Sequence, residues 1–456
     1  MEDLFDHVML SRIQFGYTAM FHIIWPVLTI GLSWFLVFME AMWLKTGELI
    51  YYRHSRFWMR MFLLNFAVGV VSGIPMEFQF GTNWGPFSKS GGDVFGHILG
   101  FEAATAFMLE ASFIGIMAFG WKRVRPAMHL FATTMVAFAA SLSAFWIMTA
   151  NSWMHTPTGG HFADGSFLVA SHMDSIFNPD MVWAVTHMWT ACIEISLFVV
   201  GGISAWYLYK RRHVDFFLKS FKVAAIAAIV ITPLQIYLGD GSGKSVFEHQ
   251  PTKLAAMEAH WETNPPGEGA PWHIVAWPDK SKQENAWAIS LPYGLSLITT
   301  HSLTGPIRGL KEFPPEDHPP IWPTFYSFRI MLLIGFVLFL VMLWTVWAWY
   351  RGKLTVDGVS NQRRLLTAWM VSLPLSYIAM ETGWITREVG RQPWIIYGFL
   401  RTNDYATALP AGTVGTSLLI FSLVYTALFV IYIIFIRHII LRGPVLETPD
   451  WHPQAK

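Results

Sequence analysis

Long uninterrupted apolar runs decide what this chain can fold into. Stretches such as YTAMFHIIWPVLTIGLSWFLVFM and AGTVGTSLLIFSLVYTALFVIYIIFI carry no Asp, Glu, Lys or Arg. A backbone placed in hydrocarbon must satisfy its own hydrogen bonds, and runs of roughly 20 apolar residues do so as membrane-crossing helices. With 54% hydrophobic and 13% charged residues among 456, the chain is too apolar for a soluble protein of that length. The runs predict one all-α polytopic integral membrane bundle over residues 1–456. About nine spans are expected, starting near Tyr17, Trp58, Val94, Met128, Met181, Phe221, Phe325, Leu365 and Gly412.

Thirty-one Lys and Arg against 30 Asp and Glu leave a formal charge of +1, so no global field favours nucleic acid. Cys192 is the single cysteine, which excludes an intrachain disulfide and any cysteine-built zinc or iron–sulfur site. MEDLFDHVMLSRIQFG is acidic ahead of the first apolar run, unlike the basic start of a cleaved signal peptide, so the first span is expected to stay.

The connections alternate in basic content. Lys45, Arg53 and Arg56, then Lys122, Arg123 and Arg125, then Lys210, Arg211, Arg212 and Lys219, then Arg351, Lys353, Arg363 and Arg364 share one side. The connection at 151–180 on the other side has no Lys or Arg. The basic side is cytoplasmic, which puts the N-terminus outside and the C-terminus, with Arg437 and Arg442, in the cytoplasm. One outer (periplasmic) connection, 239–323, is far longer than the rest, polar, Pro-rich and studded with Trp. Loops of that length in a compact bundle are usually functional.

Ionisable side chains inside the runs are costly and point to function. His22 lies four residues before Pro26, whose ring removes a backbone bond and kinks the helix. It reads as a ligand or as a hydrogen-bonded core histidine. Glu102 and Glu110 are eight apart, within about 80° and about 12 Å of each other on an ideal helix. They suit a proton relay, a ligand with a relay behind it, or an interhelical hydrogen-bonding pair.

His187 and Met331 each lie about two turns in from the outer end of their spans. A methionine in an apolar helix usually only packs, but His and Met at one depth form a recognised axial pair for a low-spin haem. Glu194, one heptad below His187, offers no more than a hydrogen bond. In METGWITREVGRQPW, the residues Glu381, Trp384, Glu388 and Arg391 are spaced three, four and three apart, forming one helical stripe. It serves either as a salt-bridged anchor at the outer membrane edge or as an iron ligand with an arginine clamping a propionate. His22, Glu102, His187, Met331 and Glu388 all fall in the outer third by the alternation above, with Glu110 deeper. Five possible iron ligands at one level imply more than one metal centre.

The segments SRIQFGYTAMFH, MEFQFGTNWGPFS, FEAATAFMLEASF, SAFWIMTANSWM, GGISAWY, TKLAAMEAHWET, FRIM and GWITREVGRQPW closely resemble subunit I of the bd-type quinol oxidases, over nearly the full chain. The resemblance implies a terminal oxidase of the bacterial inner membrane that takes electrons from quinol at the outer face. It implies that dioxygen is reduced to water with protons drawn from the cytoplasm, giving a proton-motive force without a pump. Three haems are implied: a low-spin haem b, a high-spin haem b, and a haem d or a further haem b. His187 and Met331 would be the axial ligands of the low-spin haem. His22, Glu102 and Glu388 would serve the haem pair that reduces oxygen, with Trp384 between haems and with Arg329 and Arg391 facing haem charge. Glu110 and Ser143 would belong to a proton path, and Lys253 and Glu258 to the quinol-oxidising loop. A second subunit, subunit II, and small single-span subunits are the implied partners in the lipid.

Arg329 and Met331 are two apart, so on an ideal helix they face nearly opposite ways. After THSLTGPIRGLKEFPPEDHPP the chain passes directly to IWPTFYSFRIM, without the insertion of longer family members. That resembles the short-loop subclass, which includes the cyanide-insensitive oxidases. Two other readings compete. A proton-coupled transporter predicts inverted repeats and broken helices near the midplane, and the sequence has neither signal. A haem electron carrier explains His187 and Met331 but leaves His22, Glu102 and Glu388 without a use.

Overall fold

The computed structural model describes residues 6–446. Its frame is nine long helical segments: α1 (His7–Thr46), α2 (Leu49–Thr82), α3 (Gly92–Lys122), α4 (Pro126–His155), α5 (Met181–Tyr209), α6 (Val214–His249), α7 (Ile321–Tyr350), α8 (Arg363–Val389) and α9 (Ala411–Arg442). Seven of them are long and apolar enough to cross a membrane. The other two, α6 and α8, match them in length but carry more charged and polar side chains. The locations expected for the two chain termini fall outside the described residues.

Helices begin before the hydrocarbon does. α1 starts at His7 and α2 at Leu49, well ahead of the apolar runs, because helical hydrogen bonding continues into polar sequence. The side chain of Asp6 caps α1 by accepting from the Met9 N–H at 2.6 Å, which satisfies one of the free donors of the first turn.

At the other end of the chain's longest connection, α6 continues past Gly239 to His249. Two contacts hold this extension. A Cβ on Gly241 would fall 2.2 Å from Trp183 Cε3, so only glycine lets α6 close on α5. Ser245 Oγ donates to Asp180 Oδ1 at 2.9 Å. The outer connection therefore occupies 250–320 and has structure of its own. It holds a short helix Pro251–Glu258, an antiparallel hairpin pairing Trp272–Asp279 with Glu284–Leu291, and a helix Gly294–Thr300.

α5 is the most enclosed span and α9 the least. α5 packs against α1, α6 and α8, and α7 packs against α6 and α8. In α9 only Val414 and Tyr425 are buried, while Leu419, Leu423, Val430 and Ile434 stand exposed. A helix with so little apolar cover suits lipid contact.

α3 is not a uniform helix. Residues Glu102–Phe107 form a π turn between the α-helical stretches Gly92–Phe101 and Met108–Phe119. The angle between Glu102 and Glu110 expected of an ideal helix therefore does not apply. Single π turns are frequent at functional sites.

Candidate functional site

His187 sits in α5 against α6. Its Nε2 lies 3.4 Å from the Gln235 amide nitrogen, and its Nδ1 is buried without a protein partner. A Cβ on Gly239 would come within 3.3 Å of the His187 ring, so a glycine keeps the imidazole's edge clear. Met331 of α7 meets a similar gap in α8, where a Cβ on Gly383 would lie 3.0 Å from the sulfur. The two residues thus stand on helices that both pack against α6 and α8, each beside a glycine that leaves room for its donor atom.

Along the end of α8 and just past it, with Glu381 and Trp384 flanking Gly383, the Glu381, Trp384, Glu388 and Arg391 stripe becomes two kinds of environment. Both Glu381 oxygens and the Trp384 Nε1 are buried without protein partners. Glu388 instead accepts from Asn151 Nδ2 at 2.8 Å, from Arg391 Nη2, and faces His155 Nε2 at 3.3 Å. Arg391 keeps its Nε and Nη1 buried and unpartnered. A buried guanidinium with two N–H groups left over is the counter-charge for a further anionic group.

Glu388 belongs to a larger network of residues that the sequence did not single out. Arg387 donates to Asn151 Oδ1 and to Asp180 Oδ2, each at 2.6 Å. His155 Nδ1 lies 3.2 Å from the Gln250 amide, and Gln250 Oε1 accepts from Lys253 Nζ at 3.3 Å. Burial opposes ionisation of Asp180, but the Arg387 guanidinium prevails and holds its carboxyl down at about 2. The one signal available was position: Asn151, His155, Asp180 and Arg387 all lie near the outer ends of their helices, where polar residues are ordinary.

The structure places Lys253 and Glu258 in different surroundings. Lys253 is 2% exposed, and its Nζ donates to the Arg387 carbonyl at 3.0 Å. Burial pushes its ammonium down to about 7, with Arg387 adding to the effect. Glu258 pairs with Arg329, whose Nε donates to the His273 carbonyl at 2.8 Å. Arg329 is thus turned toward the outer loop. Burial pushes the Glu258 carboxyl up, and Arg329 works against it. Burial also lowers the neighbouring His273 imidazole to about 4.

His22 and Glu102 occupy the α1, α2, α3 and α4 side of the bundle. The Ser72 hydroxyl donates to the Gly69 carbonyl at 3.1 Å, so it accepts from His22 Nδ1 at 3.0 Å. That leaves His22 Nε2 with its lone pair. A Cβ on Gly73 would lie 2.9 Å from His22 Cε1. Glu102, at the start of the π turn, accepts from Ser143 Oγ at 2.8 Å. Glu110 lies buried further along the same segment.

Buried nitrogen and oxygen atoms without protein partners on His187, Glu381, Trp384 and Arg391, with glycines beside His22, His187 and Met331, fit large prosthetic groups held between helices. Imidazole and thioether are donor types that haem iron takes among these residues.

The comparisons agree with this chemistry. A family model described as cytochrome bd terminal oxidase subunit I matches residues 10–444. The chain is 35% identical to the cytochrome bd-II ubiquinol oxidase subunit 1 of Escherichia coli (strain K12), over 97% of this chain and 98% of that one. It is 34% identical to the cytochrome bd ubiquinol oxidase subunit 1 of Bacillus subtilis (strain 168), over 95% and 94%. Its fold is similar to the bd oxidase from Geobacillus thermodenitrificans, with a TM-score of 0.88 and 30% identity over 96% of this chain and 99% of that one.

Proposed function

The chain belongs to the cytochrome bd terminal oxidase subunit I family, and from that premise we propose that it oxidises quinol at the outer face of the bacterial inner membrane and passes the electrons to dioxygen. The observation that carries this reading is Arg391, buried beside Glu388 with two N–H groups lacking a protein partner. An arginine so placed would pair with a carboxylate such as a haem propionate.

Three haems, when bound, supply the electron relay and the oxygen-binding iron. His187 and Met331 would hold the low-spin haem b, which would relay electrons rather than bind oxygen. His22, Glu102 and Glu388 would serve the high-spin haem b and its neighbour, a haem d or a further haem b. Trp384, whose Nε1 is buried without a protein partner, would pack against these groups.

The remaining residues handle protons. A quinol that gives up two electrons also gives up two protons, so its site needs an acceptor. Glu258, raised by burial and oriented by Arg329, supplies one in the outer loop. Lys253, buried against the Arg387 carbonyl, supports the loop from beneath and orients Gln250. Protons for water formation travel from the cytoplasmic side by way of Glu110, and Ser143 holds Glu102 at the end of that path. Uptake on one side and release on the other separates charge without a pump. The uncovered face of α9 supports packing against subunit II and small single-span subunits.

The test is an optical spectrum of the purified oxidase, reduced and then exposed to carbon monoxide. A low-spin band that ignores carbon monoxide and a high-spin band that shifts are expected. Absence of haem overturns the reading, and haem with no carbon monoxide shift leaves an electron carrier.

A further inference from the structure

The hairpin of the outer loop is laid along α7. Three carbonyls of its strand Trp272–Asp279 accept from α7 side chains: His273 from Arg329 Nε at 2.8 Å, Ala276 from the Tyr326 hydroxyl at 2.6 Å, and Pro278 from Trp322 Nε1 at 3.0 Å. The strand thus runs antiparallel to α7 between Trp322 and Arg329, about 10 Å of helix. With 30 residues, α7 is about 45 Å long against a hydrocarbon layer of about 30 Å. Its outer turns therefore stand among lipid headgroups, and the hairpin spans from that layer to the edge of the hydrocarbon. The polar turn with Asp279, Lys280 and Lys282 lies at the Trp322 end, away from the membrane. Leu291, the register partner of Trp272, lies at the Arg329 end, toward it.

The hairpin is apolar where it nears the hydrocarbon. On the strand Glu284–Leu291, alternation places Trp287, Ile289 and Leu291 on one face and Ala286, Ala288 and Ser290 on the other. The three large side chains are 50%, 61% and 52% exposed. Val275, opposite Ile289, and Trp277 on the partner strand are exposed as well. A contiguous patch of this kind marks a membrane or a protein partner.

The row of α7 that holds the hairpin decides between the two. Trp322, Tyr326, Ile330 and Leu333 are spaced four, four and three apart and share one face of the helix. The hairpin takes the first two, while Ile330 and Leu333, deeper in a span that crosses the bilayer, stand exposed. The surface that α7 offers to lipid therefore continues outward into the hairpin. Trp277 meets Trp322 edge-on at 4.4 Å, and Trp322 stacks on Tyr326 at 5.0 Å, a cluster of the two residue types that collect at membrane interfaces. We propose that lipid of the outer leaflet covers the face made by Val275, Trp277, Trp287, Ile289 and Leu291, so that the hairpin is an interfacial anchor. An open sheet edge cannot enter hydrocarbon, which stops the hairpin at the boundary. Seated there, it fixes the depth of Arg329, and through it of Glu258. The anchor rests on the position of α7 in the membrane and not on the quinol chemistry proposed above.

Nitroxide labels on the oxidase complex in phospholipid vesicles test this. Cys192 is buried, so Ile289→Cys and Lys282→Cys each offer one reactive thiol, and unchanged haem spectra report an intact complex. The label at 289 should lose its accessibility to a water-soluble nickel chelate and collide with oxygen dissolved in the lipid. The label at 282, in the polar turn, should remain open to the chelate. The unaltered complex gives a measurement that needs no variant: lipids carrying a diazirine near the start of the acyl chain should form adducts within Trp287–Leu291. Nickel access at 289 equal to that at 282 would put the face in water and overturn the anchor. Protection at 289 from both chelate and oxygen, without lipid adducts, would overturn it equally, by showing the face covered by subunit II or a second copy of this chain.

Discussion

Arg329 donates from Nη2 to Glu258 Oε2 at 2.5 Å, with the two side chains 10% and 3% exposed. This pair fastens the outer loop to α7 two residues before Met331. Glu258→Gln keeps the volume and removes the charge, leaving Arg329 buried without its counter-ion, a change that costs about 3–5 kcal/mol in buried pairs. Turnover with quinol should fall while haem content stays unchanged. Oxygen consumption with an artificial reductant that bypasses the loop should persist. An equal loss in both assays would move Glu258 from substrate oxidation to structural support.

His187→Ala and Met331→Leu should each remove the reduced low-spin band and stop quinol oxidation. Gly383→Ala should perturb the same band without replacing a ligand, because its Cβ would lie 3.0 Å from the Met331 sulfur. A normal low-spin spectrum in Met331→Leu would refute the axial assignment.

The helices and the candidate ligands could be read from sequence for one physical reason. Hydrocarbon makes charged residues conspicuous, so Glu102, Glu110, His187, Glu381 and Glu388 stood out against apolar surroundings. The network around them gave no such contrast. Asp180, Asn151, His155 and Arg387 lie at span ends, where a polar side chain costs little. Gly239 and Gly241, in GDGSG, suggested a loop, whereas Gly241 is there to let Trp183 approach α6. The π turn in EAATAF has neither Pro nor Gly to announce it. The loop hairpin was also missed, since its strand Glu284–Leu291 is mostly exposed and shows no buried alternation.

Ligand and relay should separate among the carboxylates of α3 and α8. Glu102→Ala and Glu388→Ala should lose or alter the high-spin haem bands. Glu110→Ala should retain all haem yet slow proton-coupled turnover, because Glu110 is buried further along α3, beyond the π turn that begins at Glu102. Ser143→Ala removes the hydrogen bond to Glu102 and should shift the high-spin band less than Glu102→Ala does. Haem loss in Glu110→Ala would overturn this division.

Acid sensitivity should trace to Asp180, which accepts from Arg387 at 2.6 Å and from Ser245 at 2.9 Å. Burial alone would raise its carboxyl, yet Arg387 holds it at about 2. The folded value lies below the unfolded one, so its stabilising contribution is complete above the ordinary carboxylate value. That contribution is lost as pH falls from about 4 through about 2. Asp180→Asn should therefore flatten the acid limb of the stability profile. At neutral pH it should cost about 3–5 kcal/mol, the usual effect of stranding a buried cation. Arg387 also donates to Asn151, which holds Glu388, so the variant should shift the high-spin haem band as well. Melting temperatures of both proteins across that range decide the matter, and superimposable acid limbs would show that the pair carries no linkage.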